Sequence, residues 1–205
     1  LPGVVMRCIP RTIPSLDSLG FSQTLKTLVH WPQGLVLLTG PTGSGKSTTL
    51  AAMIRELNES EALHVVTIED PIEFVHDDIK CLVNQREVGI DTDSFAEALR
   101  RALRQDPDII LVGEMRDAET MRIATTAAET GHLVLSTLHT NDAKQSVDRI
   151  INTFPADEQQ QMRLKLAAVL RGIVSQSLVP RASGEGRVCI QEVLVNTTFI
   201  SELIK

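Results

Sequence analysis

The chain has 205 residues, enough for one well-buried domain and too few for two of ordinary size. Its formal charge is −6, its pI is near 5.4, and it carries five Phe, one Trp and no Tyr. That composition offers neither a net basic surface for phosphate backbones nor an aromatic platform for stacked bases, and it argues against nucleic acid as the main partner. Cys8, Cys81 and Cys189 lie far apart without a C-x-x-C pair, so neither a zinc ribbon nor a disulfide framework is indicated. No apolar run has the length of a bilayer span and the N-terminus lacks a signal-peptide pattern, which makes a reduced cytoplasm the simplest location.

In chain order, residues 1–14 are irregular, with Val4 to Ile9 suited to one strand between prolines; they read as a linker leading into a domain over 15–205. The chain opens on Leu1, and the expectation is a piece of a longer protein. A short helix is predicted around Gln23 to Trp31, then strands at Leu35–Thr39, His64–Ile68, Ile109–Val112, Leu133–Leu138 and Val188–Val195, with helices between most of them. This alternation predicts an α/β fold with a largely parallel sheet. From Ser94 to Arg104, Ser94 and Glu97 form a capping-box pattern, and Phe95, Ala98, Leu99, Ala102 and Leu103 make an apolar stripe. The opposite face, with Arg100, Arg101 and Arg104, is either solvated or a subunit contact. A long helix is predicted from about Asp157 to Ser177, because Met162, Leu166, Val169, Leu170, Ile173 and Val174 hold one stripe. Ala182 to Arg187, rich in Ser and Gly, reads as an exposed hairpin or loop.

Gly40, Pro41, Thr42, Gly43, Ser44, Gly45, Lys46 and Ser47 match the phosphate-binding loop pattern in full, with Thr48 following. The glycines let successive N–H groups turn toward phosphate oxygens, Lys46 reaches the β/γ phosphates, and the Ser47 hydroxyl is placed to ligate Mg²⁺. Its flanks fit: Leu35 to Leu38 is an apolar strand, and Ser47 to Leu57 a helix whose positive end faces the phosphates.

Two acidic segments are available to such a loop, Ile68 to Phe74 and Asp108 to Asp117. An apolar strand delivers Glu114 to the carboxyl edge of the sheet, where it is placed to hold or deprotonate a water attacking the γ-phosphorus. The competing reading is an ordinary acid at the start of a helix. His132 and His139 flank an extended run; seven residues at about 3.3 Å each separate them by roughly 23 Å, too far to share a zinc ion. His139, with Thr140 and Asn141, lies where a γ-phosphate could be sensed, and His132 reads as structural.

Taken together, residues 40–48, 67–74, 106–117 and 130–141 resemble the Walker A, aspartate box, Walker B and histidine box of the secretion ATPase superfamily, the hexameric motors of type IV pili and type II secretion. The resemblance covers nearly the whole chain and implies a RecA-like P-loop NTPase core with helices flanking the sheet. The flanking Arg7 to Leu16, Gly113-Glu114-Met115-Arg116 and Val147 to Pro155 look like pilus-retraction sequence, and the four-cysteine zinc insertion common in extension and secretion motors is absent.

The resemblance implies ATP and Mg²⁺ as nucleotide and cofactor. Lys46 and Ser47 would bind the triphosphate and metal, Glu114 would act as base or water-positioner, and Glu73 would support the Mg²⁺–water network. His132 and His139 would complete the site. Arg7 would reach a neighbouring subunit's nucleotide, unless it is a plain linker charge. The family's PAS-like N-terminal domain is expected before Leu1, and its helical tail beyond Lys205. The implied partners are five further copies in a homo-hexamer and the pilin machinery with its inner-membrane platform protein, contacted peripherally from the cytoplasmic face. The segment around Arg163 to Gln176 would take part in retraction beyond ATP hydrolysis. Two alternatives stay open: a pilus-extension or type II secretion motor, and a catalytically weak nucleotide-binding ring subunit.

Overall fold

A computed structural model describes residues 9, 10 and 12–205. In chain order the elements are α1 (Gln23–Val29), β1 (Gly34–Thr39), α2 (Lys46–Ser60), β2 (His64–Glu69), β3 (Leu82–Glu87), α3 (Phe95–Ala102) and β4 (Ile109–Val112). They continue as α4 (Ala118–Glu129), β5 (Leu133–Leu138), α5 (Ala143–Asn152), α6 (Ala156–Val169), β6 (Leu170–Pro180), β7 (Arg187–Val195) and α7 (Thr198–Ile204). One seven-stranded sheet has the order β3-β2-β4-β5-β1-β6-β7, parallel throughout except that β7 runs antiparallel to β6.

Alternate strand residues feed two cores. Leu35, Leu37, Ile110, Val112, Val134 and Ile173 pack with α3 to α7, whereas Val36, Leu38, Leu111, Leu133, Leu135 and Val174 pack with α1 and α2. With both faces covered, β1, β4 and β5 are buried along their whole length, which is why they are apolar except at Thr39, Ser136 and Thr137 toward the carboxyl ends of β1 and β5. The predicted mainly parallel α/β sheet is the sheet observed. The Val4 to Ile9 strand expected from sequence falls largely outside the described residues, and Ile9 itself is in no regular element.

The helix predicted over Asp157 to Ser177 is corrected. Helix α6 ends at Val169, and Leu170 turns to an extended ψ of 132° to begin an 11-residue strand. The stripe was ambiguous because Leu170, Ile173 and Val174, though on a strand, continue the helical spacing set by Leu166 and Val169 at i+4, i+7 and i+8. Gly172 settles the geometry: a Cβ there would lie 2.7 Å from Leu28 Cδ1 and 2.9 Å from the Leu194 carbonyl, so β6 passes close beneath α1 and against β7. Strand β3 was not foreseen, since its polar Leu82-Val-Asn-Gln-Arg-Glu sequence belongs to a half-exposed edge.

Ser94 caps α3 by accepting from Glu97 N at 3.2 Å. The Glu97 carboxylate pairs with Arg101 at 2.8 Å, and Arg100 pairs with Glu119, so these two arginines are engaged within the chain on an exposed face. Residues 181–186 form the β6–β7 turn, with Gly184 and Gly186 at φ 78° and 76°.

Candidate functional site

Strand β1 ends at Thr39, and the phosphate-loop motif runs from there into the first turn of α2. Gly40, Gly43 and Gly45 have φ of 143°, 77° and 91°, values that side chains disfavour. Gly40 is also crowded: a Cβ would sit 2.2 Å from the Gln176 carbonyl oxygen and 2.7 Å from Ser44 Oγ. Gly40→Ala is therefore expected to cost about 2–4 kcal/mol through strain and overpacking. Triphosphate affinity should fall with it, as read by thermal unfolding with and without nucleotide.

The loop is clamped from β6. Gln176 Nε2 donates to the Ser44 carbonyl at 2.7 Å, and Thr39 Oγ1 donates to Ser175 Oγ at 2.9 Å. Lys46, 8% exposed, donates from Nζ to the carbonyls of Gly40 at 2.7 Å and Pro41 at 3.1 Å. Burial lowers its pKa, and the negative charge of Glu114 works against that shift.

Across a cleft of about 500 Å³ stand the acids. Glu69 ends β2, Glu73 lies on the following loop, and Glu114 follows β4; all three line the cleft with Thr42, Gly43, Gly45, Lys46, Ser47 and Thr48. The exit of β4 is fixed by Gly113 N donating to the Ile68 carbonyl at 2.8 Å and Thr137 Oγ1 donating to the Gly113 carbonyl at 2.6 Å. Glu114 Oε2 accepts from Arg116 Nε at 2.8 Å and lies 3.6 Å from His139 Nε2. The competing reading of Glu114 as a helix-start acid is not what the helix uses: Asp117 caps α4, accepting from Thr120 N at 2.8 Å. A hydroxyl at Ser47 and carboxylates at Glu73 and Glu114 form an all-oxygen donor set, which fits Mg²⁺. The positive-φ loop before α2, with open space at Gly43, fits a phosphate chain.

The two histidines separate. His139 joins the cleft, but His132 does not: it precedes β5 at the opposite edge of the sheet, where its Nδ1 lies 3.0 Å from the Ala127 carbonyl. Within this chain His132 buttresses the α4–β5 turn and lies away from the cleft lining. Thr140 is turned away as well, its buried hydroxyl 2.6 Å from Ser146 Oγ in α5. Among the described residues no cluster of three or more His, Cys, Asp or Glu is placed to hold a metal by itself. Arg7 lies outside the described residues.

Sequence reasoning did not single out Glu69, His76, Arg116 and Arg187, which also line the cleft. Burial raises the Glu69 pKa, offset by hydrogen bonds from Thr67 and Gln85, and burial pushes the His76 imidazole down to about 4. Glu69 and Arg116 sat in the recognised segments Ile68 to Phe74 and Asp108 to Asp117; His76 and Arg187 carried no local signal.

Residues 2–203 match the family model described as type II/IV secretion system protein. The Pseudomonas aeruginosa type IV pilus retraction ATPase PilT is 55% identical over 203 residues, 99% of this chain and 59% of PilT. The type II secretion system protein E of Xanthomonas campestris pv. campestris is 43% identical over 182 residues, 86% of this chain and 30% of that protein. A crystal structure of the pilus retraction motor PilT with bound ADP superposes with a TM-score of 0.93 at 54% identity, covering 97% of this chain and 57% of that one. The chain thus spans less than two thirds of the length of these relatives. With the family match running almost end to end, the chain belongs to the type II/IV secretion system protein family.

Proposed function

We propose that the chain is the ATPase domain of a homo-hexameric motor that hydrolyses ATP with Mg²⁺ and drives type IV pilus retraction. The observation that carries the reading is the meeting, in one cleft at the carboxyl edge of the sheet, of the phosphate loop with Glu73 and Glu114. The higher identity to PilT than to the type II secretion protein favours retraction over secretion.

Each residue has a defined task. On binding, the Lys46 ammonium exchanges the Gly40 and Pro41 carbonyls for phosphate oxygens, while the first N–H groups of α2 point at the same anion. Ser47, in the first turn of α2, and the carboxylates opposite would hold Mg²⁺, which when bound neutralises charge on the phosphates. Glu114 orients the attacking water and accepts its proton, with Arg116 fixing one carboxylate oxygen and His139 beside it.

Mechanical output requires at least two subunit arrangements with different nucleotide affinity. Arg7 is placed in this reading as a group offered to the neighbouring subunit, and the α6–β6 junction as part of the retraction machinery. The ring would act at the cytoplasmic face of the inner membrane, against a platform protein and the pilin machinery. Among the described residues no helix is long and apolar enough to cross a membrane.

Steady-state hydrolysis of Mg²⁺-ATP against protein concentration tests the reading. Specific activity is expected to rise with concentration as subunits complete one another's sites. A flat, near-zero rate in a chain that binds nucleotide would count against it and favour a regulatory ring subunit.

A further inference from the structure

The loop over 70–79 carries Glu73 into the cleft, and the bonds that hold it come largely from side chains on neighbouring elements. Asn58, buried in α2, secures its far end, donating to the Asp77 carbonyl at 2.7 Å and accepting from Ile79 N and Cys81 N, each at 3.1 Å. The near end is secured from the edge strand β3. Glu87 Oε2 accepts from Ile72 N at 3.0 Å. Gln85 Nε2 donates to the Phe74 carbonyl at 2.8 Å and to Glu69 Oε1 at 3.1 Å, and Gln85 Oε1 accepts from His76 N at 2.9 Å.

Residue 73 therefore sits between two backbone positions pinned from the same strand, Ile72 by Glu87 and Phe74 by Gln85. Gln85 is the more informative of the two, because its amide uses both ends on the loop and also holds the Glu69 carboxylate. Glu69 in turn accepts from Thr67 Oγ1 at 2.7 Å and from the Glu73 backbone N–H, so one carboxylate and one amide form a closed support beneath Glu73. Parallel pairing sets this up: Gln85 lies beside Thr67 and Glu87 beside Glu69, which brings β3 to the same sheet edge as the cleft.

We propose that Gln85 is the positioning residue for Glu73, holding its backbone at the height in the cleft that the reaction requires. The inference rests on the ATPase reading above. A carboxylate serving a metal–water network must be held to within a fraction of an ångström, and a misplacement of about 1 Å can cost roughly 10²-fold in rate. A glutamine suits the task because it donates and accepts through one rigid amide plane.

The test uses Gln85→Leu, alone and combined with Glu73→Gln, with Gln85→Glu as a second variant of nearly unchanged shape should the leucine variant not fold. Gln85→Leu is expected to lower kcat about 10- to 100-fold while the affinity for a non-hydrolysable ATP analogue changes less than about threefold. In the Glu73→Gln background the same substitution should cost almost nothing further, because Gln85 acts through Glu73. Amide exchange should quicken at residues 72–76 and stay unchanged in the central strands. A full further loss in the Glu73→Gln background, or an unchanged kcat in the folded variant, would overturn the proposal. Should the wild-type chain bind nucleotide without turnover, the ATPase reading fails by itself; exchange at 72–76 then decides whether Gln85 holds the loop, and unchanged exchange refutes it.

Discussion

Lys46→Ala is expected to weaken triphosphate binding at least about 100-fold, the largest loss of affinity for any single side chain in the cleft. Lys46 is 8% exposed and its ammonium already sits on two loop carbonyls, so it is held at the place where phosphate oxygens would arrive. Each charge-assisted hydrogen bond it makes to phosphate is worth about 1.5–3 kcal/mol, and two of them correspond to roughly 10²- to 10⁴-fold in Kd. Alanine also strands the Gly40 and Pro41 carbonyls and leaves Glu114 facing a less positive cleft. Titration with a fluorescent ATP analogue measures the effect, and thermal unfolding without nucleotide controls for damage to the fold. A Kd within threefold of wild type would show that phosphate binding does not depend on this lysine.

Glu114→Gln is expected to do the converse: a loss of kcat of about 10²- to 10³-fold with triphosphate affinity within about threefold. The amide keeps the shape and still accepts from Arg116, but it can neither take a proton nor bear the charge that orients a water. The bland alternative predicts something else. Were Glu114 merely a helix-start acid, its loss would lower stability and leave turnover alone; but Asp117 already caps α4. Single-turnover hydrolysis beside analogue binding separates the two. Wild-type turnover in Glu114→Gln would remove this residue from the chemistry and return attention to Glu69 and Glu73 on the adjoining strand and loop.

Much of the fold was legible in the residues for a physical reason. Strands covered on both faces are mostly apolar, and β4 and β5 could be read to the residue because Ile109–Val112 is wholly apolar and Leu133–Leu138 is apolar but for Ser136 and Thr137, whose hydroxyls bond to carbonyls of the β4 exit. Apolar spacing also hid β6: Leu170, Ile173 and Val174 satisfy helical periodicity counted from Leu166, and Gly172, pressed between Leu28 and the Leu194 carbonyl, marks the extended path. Strand β3 failed in the opposite way, its polar residues resembling a loop.

At the site, the phosphate loop was readable because its chemistry is local. Gln85 and His76 were not, since their value arises only when β3 pairs beside β2 and the intervening loop folds back over the sheet edge. The two histidines show the same limit. A motif named them together, but a strand has two ends, and only His139 leaves at the one facing the phosphate loop.

The clamp that Gln176 places on Ser44 ties two specifications into one. In β6, Ile173 pairs beside Leu37 and Ser175 beside Thr39, so the side chain at 176 turns to the face on which the loop lies. Displacing the strand by one residue would send that amide to the other face and bring Ser175 or Ser177 under the Ser44 carbonyl, with a side chain too short to reach as the glutamine does. Sheet alignment and the curvature of the anion cradle are thus a single inherited constraint: the spacing between Leu170 and Gln176 is as much a part of the nucleotide site as the glycines themselves.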